Sequence, residues 1–186
     1  MTQKRIFLTA LFALVALAFT ACKKDDVQPA YQYKTQGFVK GKLTGTSSDN
    51  AYTFNEDFNY TQYSLVSNTV SIYKINVGST YSVQIERSDF NSNGSAQISF
   101  LLNNATDTAP KNIEIAFSYT KEFNDKFVDF NMESSVDNTS TITDLTFDAA
   151  TGRAKGKFSI TGADNSSKKA ATVTGDFDVI TKKVIE

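Results

Sequence analysis

The stretch 95-SAQISFLL-102 decides the architecture. Ala96, Ile98, Phe100 and Leu102 alternate with Ser95, Gln97 and Ser99, the period of a strand with one face in a core and the other in water. The same pattern recurs on both sides. Tyr81, Val83 and Ile85 alternate with polar neighbours, as do Ile113 to Tyr119, Val128 to Met132, Ala154 to Ile160 and Val173 to Val179. Further strands are expected over Phe38 to Thr44, Tyr63 to Val66, Val70 to Val77 and Thr141 to Phe147. In residues 49–61 the spacing of Tyr52, Phe54, Phe58 and Tyr60 fits either a bent strand or a short helical turn. No other stretch holds a helical period over ten residues.

The connections read as hairpins. Val77-Gly78-Ser79-Thr80, Asn91-Ser92-Asn93-Gly94 and Asp148-Ala149-Ala150-Thr151-Gly152 are rich in residues that tolerate turns and positive φ. Strands joined so tightly run antiparallel. Strands with one wet face need a second layer, so the expectation is an all-β antiparallel sandwich of about 8–11 short strands, with an up-and-down β-barrel as the alternative.

The chain opens with a different signal. Lys4 and Arg5 precede an uncharged run from Ile6 to Phe19 and small residues at Thr20 and Ala21. This is the layout of a secretory signal, and the run is short for a transmembrane helix, which needs about 20 apolar residues. Phe19 disfavours ordinary cleavage, which wants a small residue there. The tetrad Phe19-Thr20-Ala21-Cys22 resembles a bacterial lipobox, which implies lipidation of Cys22. Cys22 is the only cysteine in the chain, so it has no disulfide partner within it. A free surface thiol is the plain alternative. Three regions follow: 1–21 as a removed lipoprotein signal, 22–36 as a lipidated cysteine and polar tether, and 37–186 as one all-β domain.

Lys23, Lys24, Asp25 and Asp26 are similar to the tether that surface-exposed lipoproteins of the Bacteroidota carry after the lipidated cysteine; otherwise they are a solvated charge cluster. The C-terminal segments Ile142 to Phe147, Gly156 to Ile160 and Val173 to Phe177 resemble the ending of small Bacteroidota lipoproteins built on a β-rich domain of unknown function. That resemblance implies a fold and a location at the bacterial outer membrane, lipid-anchored and facing outward. It implies no chemistry.

Composition narrows the chemistry. Removing residues 1–21 from the 186 leaves 165, enough for one domain with a real core. Lys4 and Arg5 leave with the signal, so 17 basic face 20 acidic side chains, a formal charge of −3 that does not suit a nucleic-acid binder. There is no histidine, which removes the usual general base and the commonest zinc ligand. Tryptophan is absent as well, the strongest aromatic for stacking on sugars.

Two chemical candidates remain. Asp89, Asn91 and Asn93 followed by Gly94 match the first half of a calcium loop, but Phe100 stands where the twelfth-position glutamate belongs. A plain Asn/Gly hairpin turn is the better reading, so no cofactor is expected. Asp176 and Asp178 share one strand face, yet that face is solvated and opposite Lys155 and Lys157, which suits pairing across the ladder rather than acid/base work. The expected function is therefore a non-enzymatic binding module that meets a glycan, peptide or envelope partner through loops or a sheet face. The alternatives are a hydrolase or accessory enzyme whose carboxylates converge only in the fold, and a purely structural envelope lipoprotein.

Overall fold

The alternating segments build strands wherever an apolar residue at every second position can face a second layer. The computed structural model describes residues 37–62, 71–89 and 94–184. Among them are eleven strands: β1 Gly37–Thr46, β2 Thr53–Tyr60, β3 Ile72–Ile75, β4 Tyr81–Asp89, β5 Gly94–Leu102, β6 Lys111–Phe123, β7 Lys126–Glu133, β8 Thr139–Asp148, β9 Arg153–Ala163, β10 Ala170–Ile180 and β11 Lys182–Val184. The described residues contain no helix.

Two sheets form, one of five strands in the order β2-β1-β10-β9-β8 and one of six in the order β11-β3-β4-β5-β6-β7. All pairings are antiparallel except β11 with β3. The inner faces pack into one core that includes Val39, Leu43, Ile85, Ile98, Phe130, Ile160 and Val173, each fully buried. The expected sandwich is what forms, and the two sheets do not close into a barrel.

Residues 49–61 resolve into a turn and a strand. Asp49 Oδ1 accepts from Ser47 Oγ and Ala51 N at 2.7 and 2.9 Å, and Tyr52 N donates to Ser47 Oγ at 2.9 Å. From there β2 points Phe54, Phe58 and Tyr60 inward. It runs across the other sheet: Tyr52 packs on Phe123 of β6, Phe54 on Phe130 of β7 and Phe58 on Phe117 of β6, and Gln62 pairs with Ser88 of β4. This edge strand therefore runs across several strands of the other sheet rather than along one of them. The expected strand Tyr63 to Val66 lies outside the described residues.

The inward face of β4 ends on a charge. Arg87 follows Val83 and Ile85 at the same spacing and is fully buried, where Nη1 donates to Ser71 Oγ at 2.5 Å and to Glu86 O at 2.6 Å.

The middle of the five-stranded sheet lacks side chains on its inner side. Across β2, β1, β10 and β9 the register aligns Phe58, Gly41, Gly175 and Phe158. A Cβ on Gly41 would lie 2.0 Å from the Thr174 carbonyl oxygen, and one on Gly175 would lie 2.2 Å from that of Lys40. The two phenylalanine rings close over this gap from within, their centroids 6.4 Å apart, an arrangement that shields glycine backbone from water.

Gly41→Ala is expected to cost about 1–3 kcal/mol of unfolding free energy, because the neighbour that must yield is backbone. Thr174→Ala, on the exposed face one strand away, should change stability by less than about 0.5 kcal/mol. Denaturant titration of both variants checks this, and equal stabilities would contradict it.

Candidate functional site

The outer face of the five-stranded sheet is built from the residues that alternate with the core. Register sorts them into rows across the strands. Asn55, Thr44, Thr172, Thr161 and Thr139 form one row, all short polar side chains. Asp57, Lys42, Thr174, Ser159 and Thr141 form the next, then Asn59, Lys40, Asp176, Lys157 and Thr143. Phe38, Asp178, Lys155 and Thr146 follow. One end of the face is thus hydroxyl-rich, and the other carries charges whose sign alternates from strand to strand.

On this outer face lies a depression of ≈ 580 Å³ bounded by Gly41, Gly175, Lys42, Asp57, Lys157 and Asp176. A second depression of ≈ 570 Å³ adjoins it toward Phe38, Lys155 and Asp178. Lys40, Lys157 and Asp176 line both, so the two make one shallow trough across β1, β10 and β9.

Several of its charges are fixed. Arg153 grips Asp178 with two hydrogen bonds, Nε to Oδ1 at 2.8 Å and Nη2 to Oδ2 at 2.7 Å. That grip holds the Asp178 carboxyl below its ordinary value against the opposing effect of partial burial. Lys157 donates to Asp144 at 2.6 Å, and the bond raises its proton affinity. The ammonium of Lys40 sits 4.5 Å from the centre of the Phe38 ring. Lys42 and Lys155 join no ion pair among the described residues.

The expected pairing of Lys155 and Lys157 with the aspartates is met in register, since Lys157 stands opposite Asp176 and Lys155 opposite Asp178. The bonds go elsewhere: Arg153 reaches diagonally to Asp178, and Lys157 turns outward to Asp144. Asp144 was not among the residues singled out from the sequence. It reaches this face through an irregularity of β8 between Thr143 and Thr146, where its φ is 52°. The signal was present, because the polar pair Thr143-Asp144 stands between inward Ile142 and Leu145 and breaks the period of two.

Cys22, Lys23, Lys24, Asp25 and Asp26 lie outside the described residues, as do Asn91 and Asn93. Asp89 ends β4 directly opposite Gly94 at the start of β5, so the strands flanking that segment are adjacent and antiparallel. The outer face of the six-stranded sheet has a smaller depression of ≈ 340 Å³ among Gln84, Gln97, Ser99, Glu114 and Glu133.

A polar clasp joins the two sheets at one margin. Lys121 of β6 donates to Glu56 of β2 at 2.7 Å and to the Tyr52 hydroxyl at 2.7 Å, while that hydroxyl donates to Glu56. Partial burial by itself would raise the Glu56 carboxyl, but the bonds from Lys121 and Tyr52 outweigh it and hold the carboxyl below its ordinary value. The same bond from Glu56 pushes the Lys121 ammonium up.

Compared with known proteins, the chain matches no family model, no curated protein and no solved structure.

The clasp gives a pH signature. Glu56, lowered in the folded state, contributes stability above its ordinary value of 4.5 that is lost as pH falls through its folded value. Lys121, raised, contributes below its ordinary value of 10.5 and loses that contribution as pH rises through its folded value. Glu56→Gln should therefore cost about 0.5–1 kcal/mol near neutral pH, the range for a partly exposed pair. It should cost almost nothing in strong acid, and urea titration across pH would refute this if the cost were constant.

Proposed function

We propose that this chain is a lipid-anchored protein of the bacterial outer membrane, facing outward and acting as a non-enzymatic binding module, with a glycan held on the outer face of its five-stranded sheet. The reading rests on one observation. A trough crosses the outer face over the Gly41–Gly175 contact, and Lys40, Asp176 and Lys157 line it as alternating donor and acceptor.

Sugar hydroxyls both donate and accept, so a lattice of lysine, aspartate and threonine at the strand spacing of about 4.8 Å suits them better than a single-sign patch would. A peptide would more naturally add to a strand edge. The location follows from the signal-like stretch 1–21, the lone Cys22 and the charged run Lys23 to Asp26. The non-enzymatic character is supported by the state of Asp178, which Arg153 keeps ionised where a general acid needs a raised proton affinity.

Residues 22–186 with Cys22→Ser, applied to glycan and peptide arrays, test the reading. Oligosaccharide capture is expected, and Lys157→Glu or Asp176→Lys should weaken it about tenfold, the equivalent of one lost charged hydrogen bond. Capture indifferent to both substitutions would remove the trough from the account. Silence on every array would favour a structural envelope protein.

A further inference from the structure

We infer that the sheet edge formed by β11 and the start of the domain is a membrane-facing surface that rests on an anionic lipid bilayer; this builds on the lipid-anchor reading above. The chain enters the domain at Gly37, which pairs with Val179. One residue later Ile180 ends β10, and the chain crosses to the other sheet at buried Thr181, whose N and Oγ1 donate to Gly152 O at 2.9 and 2.7 Å. It then becomes β11, the outermost strand of the six-stranded sheet. The point where the tether joins and the β11 edge are therefore on the same side of the molecule.

That side has an unusual surface. Of the five large apolar residues exposed on the described surface, three lie here: Ile180 at 44 %, Ile75 at 41 % and Val77, fully exposed at the tip of the β3–β4 turn. Between them β11 presents Lys182 and Lys183, both exposed and in no ion pair among the described residues. Among the described residues, two carboxylates near this edge are engaged elsewhere. Asp178 is gripped by Arg153, and Asp148 accepts from Ala150 N and Thr151 Oγ1 in its own turn.

Apolar tips interleaved with lysines, on a chain that is acidic overall, match the boundary between anionic headgroups and acyl chains. The fourteen residues 23–36 reach at most about 50 Å even when fully extended, so an anchor at Cys22 keeps this side within range of the bilayer. Lysines on an edge strand also discourage pairing with another protein's strand, which argues against a protein occupant here.

The absence of tryptophan makes the test clean, because one introduced residue is the only indole signal. Val77→Trp, Ile180→Trp and, near the opposite edge, Val136→Trp and Phe127→Trp would be made in the full chain. Each is purified with its own anchor and reconstituted into vesicles of phosphatidylcholine and phosphatidylglycerol with brominated chains. Loss of fluorescence is expected for the first two and not for the second two. Equal quenching at all four, or none at Val77→Trp and Ile180→Trp, would overturn the inference.

Adding Lys182→Glu and Lys183→Glu to Val77→Trp should restore the fluorescence, since each lysine near an anionic surface shifts the bound population about fivefold; quenching that survives the double substitution would overturn the role given to charge. Acyl labelling of the wild type against Cys22→Ser reports separately on the anchor. If labelling is absent, the mature chain is coupled through its Cys22 thiol to a maleimide lipid, and the same four positions decide the orientation independently of natural lipidation.

Discussion

The backbones of β1 and β10 meet at Gly41 and Gly175 with no side chain between them, and the Phe58 and Phe158 rings close the inner side. This contact holds the five-stranded sheet close to the core at its centre. Inside, it gives two large aromatic rings a place to pack; on the outer face the trough lies over it. A side chain at either glycine would collide with a carbonyl oxygen of the other strand, so the close pairing of β1 with β10 depends on both residues. The aromatic residues from Tyr52 to Phe58 pack on β6 and β7, and Gln62 just beyond β2 pairs with Ser88 of β4, tying the edge of one sheet to the other.

The charges divide by location. Arg87 is taken into the core, where Nη1 donates to Ser71 Oγ and the Glu86 carbonyl. Glu56 and Lys121 clasp the margin between the sheets. The remaining cluster, from Lys40 to Asp178, lies on the wet face in alternating rows, and its strongest ion pair, Arg153 with Asp178, keeps its carboxylate ionised.

Much of the fold was legible because it is written locally. The alternation in Ser95 to Leu102 and its neighbours identifies strands without knowing their partners, and Asp148 to Gly152 marks its own turn, closed by Gly152 N to Asp148 O at 2.7 Å. What stayed hidden depends on contacts distant in sequence. That Gly41 faces Gly175 follows from a pairing across 134 positions, which no local period encodes. The segment before β2 was ambiguous because Ser47 and Asp49 satisfy its backbone through side chains, a turn device that aromatic spacing does not reveal. The parallel pairing of β11 with β3 depends on where Thr181 lets the chain cross between sheets. The candidate site was half visible: Lys155, Lys157, Asp176 and Asp178 are recognisable as one ladder, whereas Asp144 and the pairing of Gly41 with Gly175 reach the same region only through register.

The central claim is the proposal that ligand lies in the trough over Gly41 and Gly175. The most direct measurement is a titration of isotopically labelled mature domain with soluble oligosaccharides, followed by backbone amide chemical shifts. The account predicts that the shifts that move belong to Lys40–Lys42, Lys155–Lys157 and Thr174–Asp176. Movement centred instead on Gln84, Gln97 and Glu114, on the opposite sheet, would contradict it.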